Sequence, residues 1–505
     1  MERTLIESYS LIAESVPATI NIWQVPGELI PHYELIVPEV DMGTLAVLDE
    51  IKEELARTLT ITIEEITDPQ HAHELRTKVL DVTNSLLQKK FPSMDHLQRT
   101  VISGMLMQKV YGIGELETLL ADAFLEEIVI NGSKQPISVY HKKFGWMITN
   151  KNVNSEEDIY NLAAQIGRRI GRQITLLTPI MDAHLVAGDR VAATLFPIST
   201  AGSTITIRKF ARVPWNIVTL IKNKTTSIDI LAFVWLAIQY ERSVMVAGAT
   251  ASGKTSMLNA LCVFIPPSQR VITIEDTREI LLPKALHWNW VPMNSRSANA
   301  EGQGEVTMLD LIVASLRMRP DRIIIGEVRR REQAETMFEA MNTGHSVYST
   351  IHADNVEQVK RRLLEPPISI PKNEVESLPL ILIQYRDMRR NLRRTLELAE
   401  VLQNPKPTLL TNYLFRWHPR NDTFEPINQS QRIFEDLNLH TGLTIQEIKQ
   451  DLKEKESILQ WMANHNVTDL DLIGSVMKAY YFNKEIILRL VNANKSPGAV
   501  LDTFV

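Results

Sequence analysis

A single cysteine in 505 residues, Cys262, excludes an intrachain disulfide framework and any zinc cluster built on thiolates. That usage suits a reducing cytoplasm. No apolar run approaches the roughly 20 residues a membrane span needs; the longest, near Ile230 to Ile238, is far shorter. The first residues, Met1 to Ser8, lack the apolar stretch of a signal peptide, so neither secretion nor a bilayer crossing is expected. Charge of one sign is not in excess: 54 Lys and Arg against 60 Asp and Glu leave a net charge of -6, which gives no global electrostatic reason to bind nucleic acid. Low-complexity segments and internal repeats are not apparent, and glycine is sparse at 20 residues. What remains is ordinary globular protein, 44% hydrophobic and long enough for three or four domains.

In so glycine-poor a chain one stretch stands out. Gly248-Ala-Thr-Ala-Ser-Gly253-Lys254-Thr255 has the spacing G-x-x-x-x-G-K-[ST]. The run before it, Ser243 to Ala247, reads as a short buried strand, and Ser256 to Phe264 after it reads as an amphipathic helix. The loop therefore sits where a strand turns into a helix. There the backbone N–H groups of Gly248, Ala249, Thr250, Ala251, Ser252, Gly253, Lys254, Thr255 and Ser256 form the candidate phosphate cradle, because loop amides and a helix N-terminus converge on negative charge. Lys254 would reach the β and γ phosphates of ATP, and Thr255 would offer its hydroxyl to Mg2+. Cys262 falls on the apolar side of that helix, where packing rather than reactivity is expected.

Three downstream segments carry charge in the right order. Val271-Ile-Thr-Ile-Glu275-Asp276-Thr-Arg278-Glu279 is an apolar strand ending in acids, which the carboxyl edge of a parallel sheet would point into a ligand crevice. Pro320-Asp-Arg-Ile323-Ile-Ile-Gly326-Glu327-Val-Arg329 has the shape of a Walker B strand. Glu327 follows a glycine where many NTPases place an Asp, so it is expected to polarise the attacking water or to hold magnesium through one. Glu275 and Glu279 would supply the remaining negative charge, and spacing does not say which acid is the base. Thr343-Gly-His345-Ser-Val-Tyr-Ser-Thr350-Ile-His352-Ala places two histidines in one strand-like run, either of them able to sense the γ-phosphate. Upstream, Arg190 and Arg208 fall on two expected neighbouring strands and are candidates for the cations that balance charge on a departing phosphoryl group, supplied by a neighbouring subunit. The run Arg386-Asp-Met-Arg389-Arg390-Asn-Leu-Arg393-Arg394 is a separate basic cluster, read as an exposed charged face.

Organisation follows the pattern of elements. Residues 1–90 mix short β-like runs such as Tyr33 to Val37 with helical segments, Leu45 to Leu59 and His73 to Lys89. Residues 91–213 read as an α+β domain with helices before Tyr111 and over Ser155 to Gly171, strands over Glu126 to Asn131 and Ile137 to Tyr140, and the two arginine-bearing strands. A hinge over 214–226 leads into 227–403, where helix and strand alternate as a parallel sheet requires. A hairpin around Trp417 to Phe424 and a helical tail over Thr444 to Asn494 make up 404–505.

The four patterns GATASGKT, ITIEDTRE, RPDRIIIGEVR and TGHSVYSTIHA resemble, in this order, the Walker A, Asp box, Walker B and His box of the type II/type IV secretion ATPase superfamily. The flanking GIGELETLLADAFLEEIVING, VYHKKFGW, GDRVAATLFPIST, TITIRKFARVPW, HWNWVPM and EPPISIP are similar to the archaeal branch, and within it to the euryarchaeal archaellum motor ATPase. The resemblance covers about residues 100–400 and extends to the 417–494 tail. It implies an α/β fold: a RecA-like core with a mainly parallel sheet, preceded by an α+β, PAS-like N-terminal domain and followed by a helical tail. It also implies a homohexameric ring that hydrolyses ATP with Mg2+, with Lys254 and Thr255 on phosphate and metal, Glu275, Glu279 and Glu327 handling water and metal, His352 in the His box, and Arg190 and Arg208 on the arginine-bearing strands. The partners it implies are a polytopic membrane platform protein, accessory cytoplasmic motor components and anionic lipid at the inner face of the membrane, with no nucleic acid. An archaeal pilus-assembly or secretion ATPase with a different platform is the alternative, and a RecA-like nucleic-acid translocase a more distant one.

Overall fold

The computed structural model describes residues 3–38, 48, 50–51, 53–55, 69–110, 112–114, 116–169, 172–185, 188–210, 214–296, 298, 302–390 and 392–503. Most of the helix expected over Leu45 to Leu59 lies outside the described residues. The chain forms two compact units, Met1–Arg212 with Asn299–Gln303, and Val213–Ala298 with Gly304–Val505.

The first unit is built on nine strands: β1 (Thr4–Ala13), β2 (Val16–Gln24), β3 (His32–Ile36), β4 (Leu125–Asn131), β5 (Pro136–His141), β6 (Gly145–Asn152), β7 (Ile180–His184), β8 (Arg190–Thr194) and β9 (Thr204–Arg208). Their order across the sheet is β1-β2-β3-β6-β5-β4-β9-β8-β7, antiparallel except between β3 and β6. Residues alternate in burial along β2, β8 and β9, so one face meets a core and the other is open. Helices α1 (Pro69–Lys90), α2 (His96–Val110), α3 (Leu116–Ala121) and α4 (Glu156–Arg169) complete the unit. On α4, Ile159, Ala163 and Ile166 repeat at helical spacing and are fully buried against strand residues such as Ile128 and Ile205. Strands from both sides of residue 90 thus share one sheet. The tie is chemical as well as apolar: the hydroxyls of Tyr9 and Tyr33 both donate to the buried Asp122, at 2.7 and 2.8 Å, a carboxylate that needs such partners where it lies.

The second unit holds β10 (Val244–Gly248), β11 (Val271–Glu275), β12 (Trp290–Asn294), β13 (Arg322–Ile325), β14 (Ser346–His352), β15 (Leu380–Asp387), β16 (Leu392–Leu402), β17 (Leu410–His418) and β18 (Thr423–Pro426). They run in the order β12-β11-β13-β14-β10-β15-β16-β17-β18, parallel from β12 to β15 and antiparallel from there on. Every residue of β10, β11 and β13 is buried, as strands covered on both faces must be. Val244 and Val246 face one core, with Trp235, Leu258, Leu459 and Tyr480; Met245 and Ala247 face another, with Ile325, Phe338 and Ile351. The covering helices are α5 (Ile217–Lys222), α6 (Ile228–Gln239), α7 (Lys254–Leu261), α8 (Met308–Ser315), α9 (Arg331–Asn342), α10 (Val356–Leu364), the short α11 (Lys372–Val375), and the C-terminal α12 (Arg432–Thr441), α13 (Ile445–Asn464), α14 (Leu470–Phe482) and α15 (Lys484–Asn492).

Residue 404 does not divide this unit: the hairpin β17–β18 extends the sheet, and the C-terminal helices supply one of its cores. Tyr481 donates to the Phe264 carbonyl at 2.6 Å and accepts from Trp235 Nε1 at 3.0 Å, so the tail buttresses the segment that follows α7. Lys455, fully buried, donates to Asp451 at 2.6 Å and to the Tyr480 hydroxyl at 2.9 Å; burial pushes its ammonium down to about 8. Among the described residues no helix is long and apolar enough to cross a membrane.

Candidate active site

β10 ends and α7 begins at the carboxyl edge of the parallel strands, and the turn between them depends on two glycines. A Cβ on Gly248 would collide with the Gln384 carbonyl oxygen on β15 and with Ser252 Oγ. Gly253 takes φ +91°, a left-handed conformation open to glycine, as the residue that caps α7. Ser252 is buried and its hydroxyl donates to the Ala249 carbonyl at 2.8 Å, which closes the loop on itself. Lys254, Thr255 and Ser256 form the first turn of α7, so their N–H groups have no acceptor within the helix and head it as a positive end.

Three side chains meet under this turn. Gly248 and His352 sit directly beside each other on the parallel strands β10 and β14. Lys254, only 8% exposed, points Nζ at the Ala249 carbonyl (3.0 Å) and at His352 Nδ1 (3.2 Å). His352 Nε2 lies 2.8 Å from Glu327 Oε1. A lysine donating to Nδ1 puts the proton of the neutral ring on Nε2, facing the carboxylate. Burial, reinforced by the Lys254 ammonium, holds the His352 imidazole below its ordinary value even though Glu327 pulls the other way. The other oxygen of Glu327 is forked by Arg329, from Nε at 2.9 Å and Nη2 at 2.6 Å, and Arg329 Nη1 reaches Asp276 Oδ2 at 3.1 Å. Ser295 donates to the remaining oxygen of Asp276. The contact from His352 to Glu327 Oε1 is off the line of a hydrogen bond, so that buried oxygen has no hydrogen-bond partner among the described residues. An acceptor left open in this way is what an attacking or metal-bound water would satisfy.

The remaining acids divide. Glu275 is 2% exposed; its Oε1 accepts the backbone N–H groups of Glu279 (2.8 Å) and Ile280 (3.0 Å), and it packs so closely under Gly326 that a Cβ there would stand 3.3 Å from Glu275 Cγ. Burial pushes its carboxyl up to about 7, against the pull of those two N–H bonds. Glu279 contributes its main chain to Glu275, while its exposed carboxylate makes no ion pair among the described residues. The two histidines also part. His345 precedes β14 and lies 3.3 Å from the Ala340 carbonyl, whereas His352 ends the strand, roughly 20 Å further along at a strand's rise per residue.

Arg190 and Arg208 belong to the first unit, where they stand directly opposite each other on β8 and β9, with Glu127 opposite Arg208 on β4. Both arginines are exposed, and Arg190 forks Asp182 through Nε at 3.0 Å and Nη2 at 2.5 Å. Facing like charges repel, and a surface ion pair of this exposure contributes little to stability.

Two residues of this site went unread in the sequence. Arg329 is the nearest cation to Glu327, two positions along the same chain segment, a spacing that could have flagged it. Arg393 comes from the basic cluster taken as an exposed face: its Nε donates to the Ala251 carbonyl at 3.2 Å, and its Cδ lies 3.6 Å from where a Cβ on Gly253 would be. Its neighbour Arg394 turns inward and forks Asp422 at 2.7 and 2.9 Å, which holds that carboxyl down at about 2. The alternation of side chains along β16 separates the two.

A family described as "Type II/IV secretion system protein" matches residues 178–398. An uncharacterised protein of Methanocaldococcus jannaschii is 34% identical over 385 residues, covering 75% of this chain and 69% of that protein. The type IV secretion system protein PtlH of Bordetella pertussis is 32% identical over 246 residues, covering 44% of this chain and 72% of PtlH. Among solved structures, the ATPase DotB of Yersinia pseudotuberculosis is 19% identical with a TM-score of 0.41, over 72% of this chain and 91% of that one, an overlap that adds nothing to the sequence likeness. The matched span runs from β7 through the glycine turn and both strands that deliver Glu327 and His352, and on that likeness the chain belongs to the type II/IV secretion system protein family.

Proposed function

We propose that the chain is an Mg2+-dependent ATPase that works as a homohexameric ring. The observation that carries this reading is the convergence of Lys254, His352 and Glu327 beneath the glycine turn, Lys254 3.2 Å from His352 and His352 2.8 Å from Glu327. The backbone from Gly248 to Ser256 cradles the phosphates, and Lys254 exchanges its carbonyl and imidazole partners for phosphate oxygens, which bind an ammonium more strongly. Thr255 and, through water, Glu327 would hold a magnesium ion, whose charge offsets that of the β and γ phosphates. The open oxygen of Glu327 orients a water whose oxygen bonds to the γ-phosphorus as the bond to the bridging oxygen breaks, giving ADP and phosphate; the water's proton leaves through that carboxylate. Glu275 keeps the Glu279–Ile280 turn in place beside it. His352, between Lys254 and Glu327, registers whether the γ-phosphate is present. Arg190 and Arg208 of a neighbouring copy complete the charge balance, two exposed cations facing each other on adjacent strands.

The work goes into a membrane platform protein that assembles or rotates a pilus-like filament, with the ring peripheral at the cytoplasmic face and aided by accessory motor components and anionic lipid. The archaellum motor is the form that the sequence resemblance favours. The likeness to PtlH favours a second form, a secretion or pilus-assembly ATPase on another platform. A net charge of -6 speaks against a nucleic-acid translocase.

The test is ATPase rate against protein concentration for wild type, Lys254→Ala and Glu327→Gln, with and without anionic lipid and nucleic acid. A rate per chain that rises with concentration and vanishes in both variants is expected. Activity surviving in both would end the assignment of the chemistry, and a rate independent of concentration would count against shared sites.

A further inference from the structure

Immediately beyond His352 the chain turns into α10 and leaves an open cleft of about 250 Å³, in which His352 is itself a wall. Its polar lining is chiefly cationic. Arg362 donates to the His352 carbonyl at 3.0 Å, which fixes its guanidinium against the end of β14. Gln358 accepts the Asp354 N–H through Oε1 at 2.8 Å, leaving its amide nitrogen as a donor. Arg361 makes no ion pair among the described residues, and Glu365 is the one acid among the residues lining the cleft. Two guanidiniums and an amide, offset by one carboxylate, give the cleft a donor set that suits a small multivalent oxyanion.

Position identifies which oxyanion. The cleft shares His352 with the Lys254 and Glu327 cluster, so it adjoins the point where the γ-phosphate would be cut. We propose that this cleft is a second anion site that receives inorganic phosphate as it leaves the reaction centre. The proposal rests on the nucleotide reading above and adds to it a product subsite with Arg361 as its principal free cation. Phosphate held there no longer occupies the γ position, so it has left the reaction centre, where it could rejoin ADP, before it reaches solvent.

The experiment is equilibrium dialysis of radiolabelled orthophosphate against the full chain saturated with Mg2+ and a non-hydrolysable β,γ-imido ATP analogue, which fills the γ position and leaves only the cleft. Saturable phosphate binding is expected in the wild type, weakened roughly tenfold or more in Arg361→Gln and less in Arg361→Lys, with analogue affinity and thermal melting unchanged because Arg361 is an exposed helix residue outside the phosphate loop. Phosphate that does not bind once the analogue is in place, or that binds Arg361→Gln as well as wild type, overturns the proposal and leaves the nucleotide reading standing. An analogue that fails to bind at all overturns both. Weaker self-association of Arg361→Gln with unaltered phosphate binding also overturns it, and assigns the arginine to a carboxylate of a second copy.

Discussion

Glu275 makes the second unit's stability depend on pH in a direction opposite to that of most carboxylates. Burial lifts it from 4.5 to about 7, so the folded chain binds its proton more tightly than the unfolded chain does. The resulting stabilisation is fully present below the unfolded value and is lost as pH rises through about 7. At about 1.4 kcal/mol per pH unit, a rise of this size corresponds to about 3 kcal/mol between acid and alkaline limits, of which about 2 kcal/mol falls between about pH 5.5 and about pH 8.5. Glu275→Gln keeps an oxygen for the N–H groups of Glu279 and Ile280 and removes the titration. The variant is therefore expected to gain on wild type steadily as pH rises, by several degrees in the melting temperature of this unit at about pH 8.5 relative to about pH 5.5. Differential scanning calorimetry of both proteins across that range, without nucleotide, reads the difference. A difference in melting temperature that stays flat with pH would refute the argument and mean that the two N–H bonds outweigh burial and that Glu275 is ionised throughout; a variant that loses ground in alkali would refute it as well.

Gly248→Ala should cost at least tenfold in affinity for a fluorescent ATP analogue, because the added methyl meets the Gln384 carbonyl and Ser252 Oγ and forces the loop open; unchanged binding would mean that the turn adapts freely. His352 should titrate below its ordinary value in the wild type and shift upward in Lys254→Ala, which removes the second-largest cause of its depression after burial; pH-dependent diethylpyrocarbonate labelling read by mass spectrometry would refute this if the two midpoints coincide. Arg329→Gln frees one oxygen of Glu327 and removes a further cation acting on His352, so the acid limb of the pH–rate profile should move to higher pH; a lower rate with an unmoved limb would leave Arg329 a merely structural partner. A double variant, Arg190→Ala with Arg208→Ala, should regain part of its lost turnover when mixed with Lys254→Ala, since each would then supply what the other lacks; failure to complement would mean that the arginines act within their own chain.

The glycine turn with its flanking strand and helix was legible in the sequence because the motif constrains backbone conformation: a residue with a Cβ cannot stand at Gly248 without a clash, and Gly253 turns left-handed before α7 starts. The acidic strand, the strand before Glu327 and the histidine run were legible for a related reason, since β11 and β13 carry runs of Val and Ile, all of β11 and β13 and all of β14 up to His352 are buried, and Glu275, Glu327 and His352 stand at or just past their carboxyl ends. What spacing left open was resolved by direction: His345 and His352 look alike in sequence, yet they fall at opposite ends of β14, and only the carboxyl end meets the loop. The parts that stayed hidden depend on pairings distant in sequence. No local pattern tells that Tyr9 and Tyr33 close on Asp122, or that Tyr481 reaches back to Phe264, so both chain ends read as separate segments when each is woven into a sheet or core. The basic run at β16 was hidden for a subtler reason. Its charges suggested a solvated surface, whereas alternation along the strand sends Arg394 inward to Asp422 and Arg393 onto the Ala251 carbonyl. A charge cluster on a strand is therefore two groups with different partners, and of these two only Arg393 borders the phosphate loop.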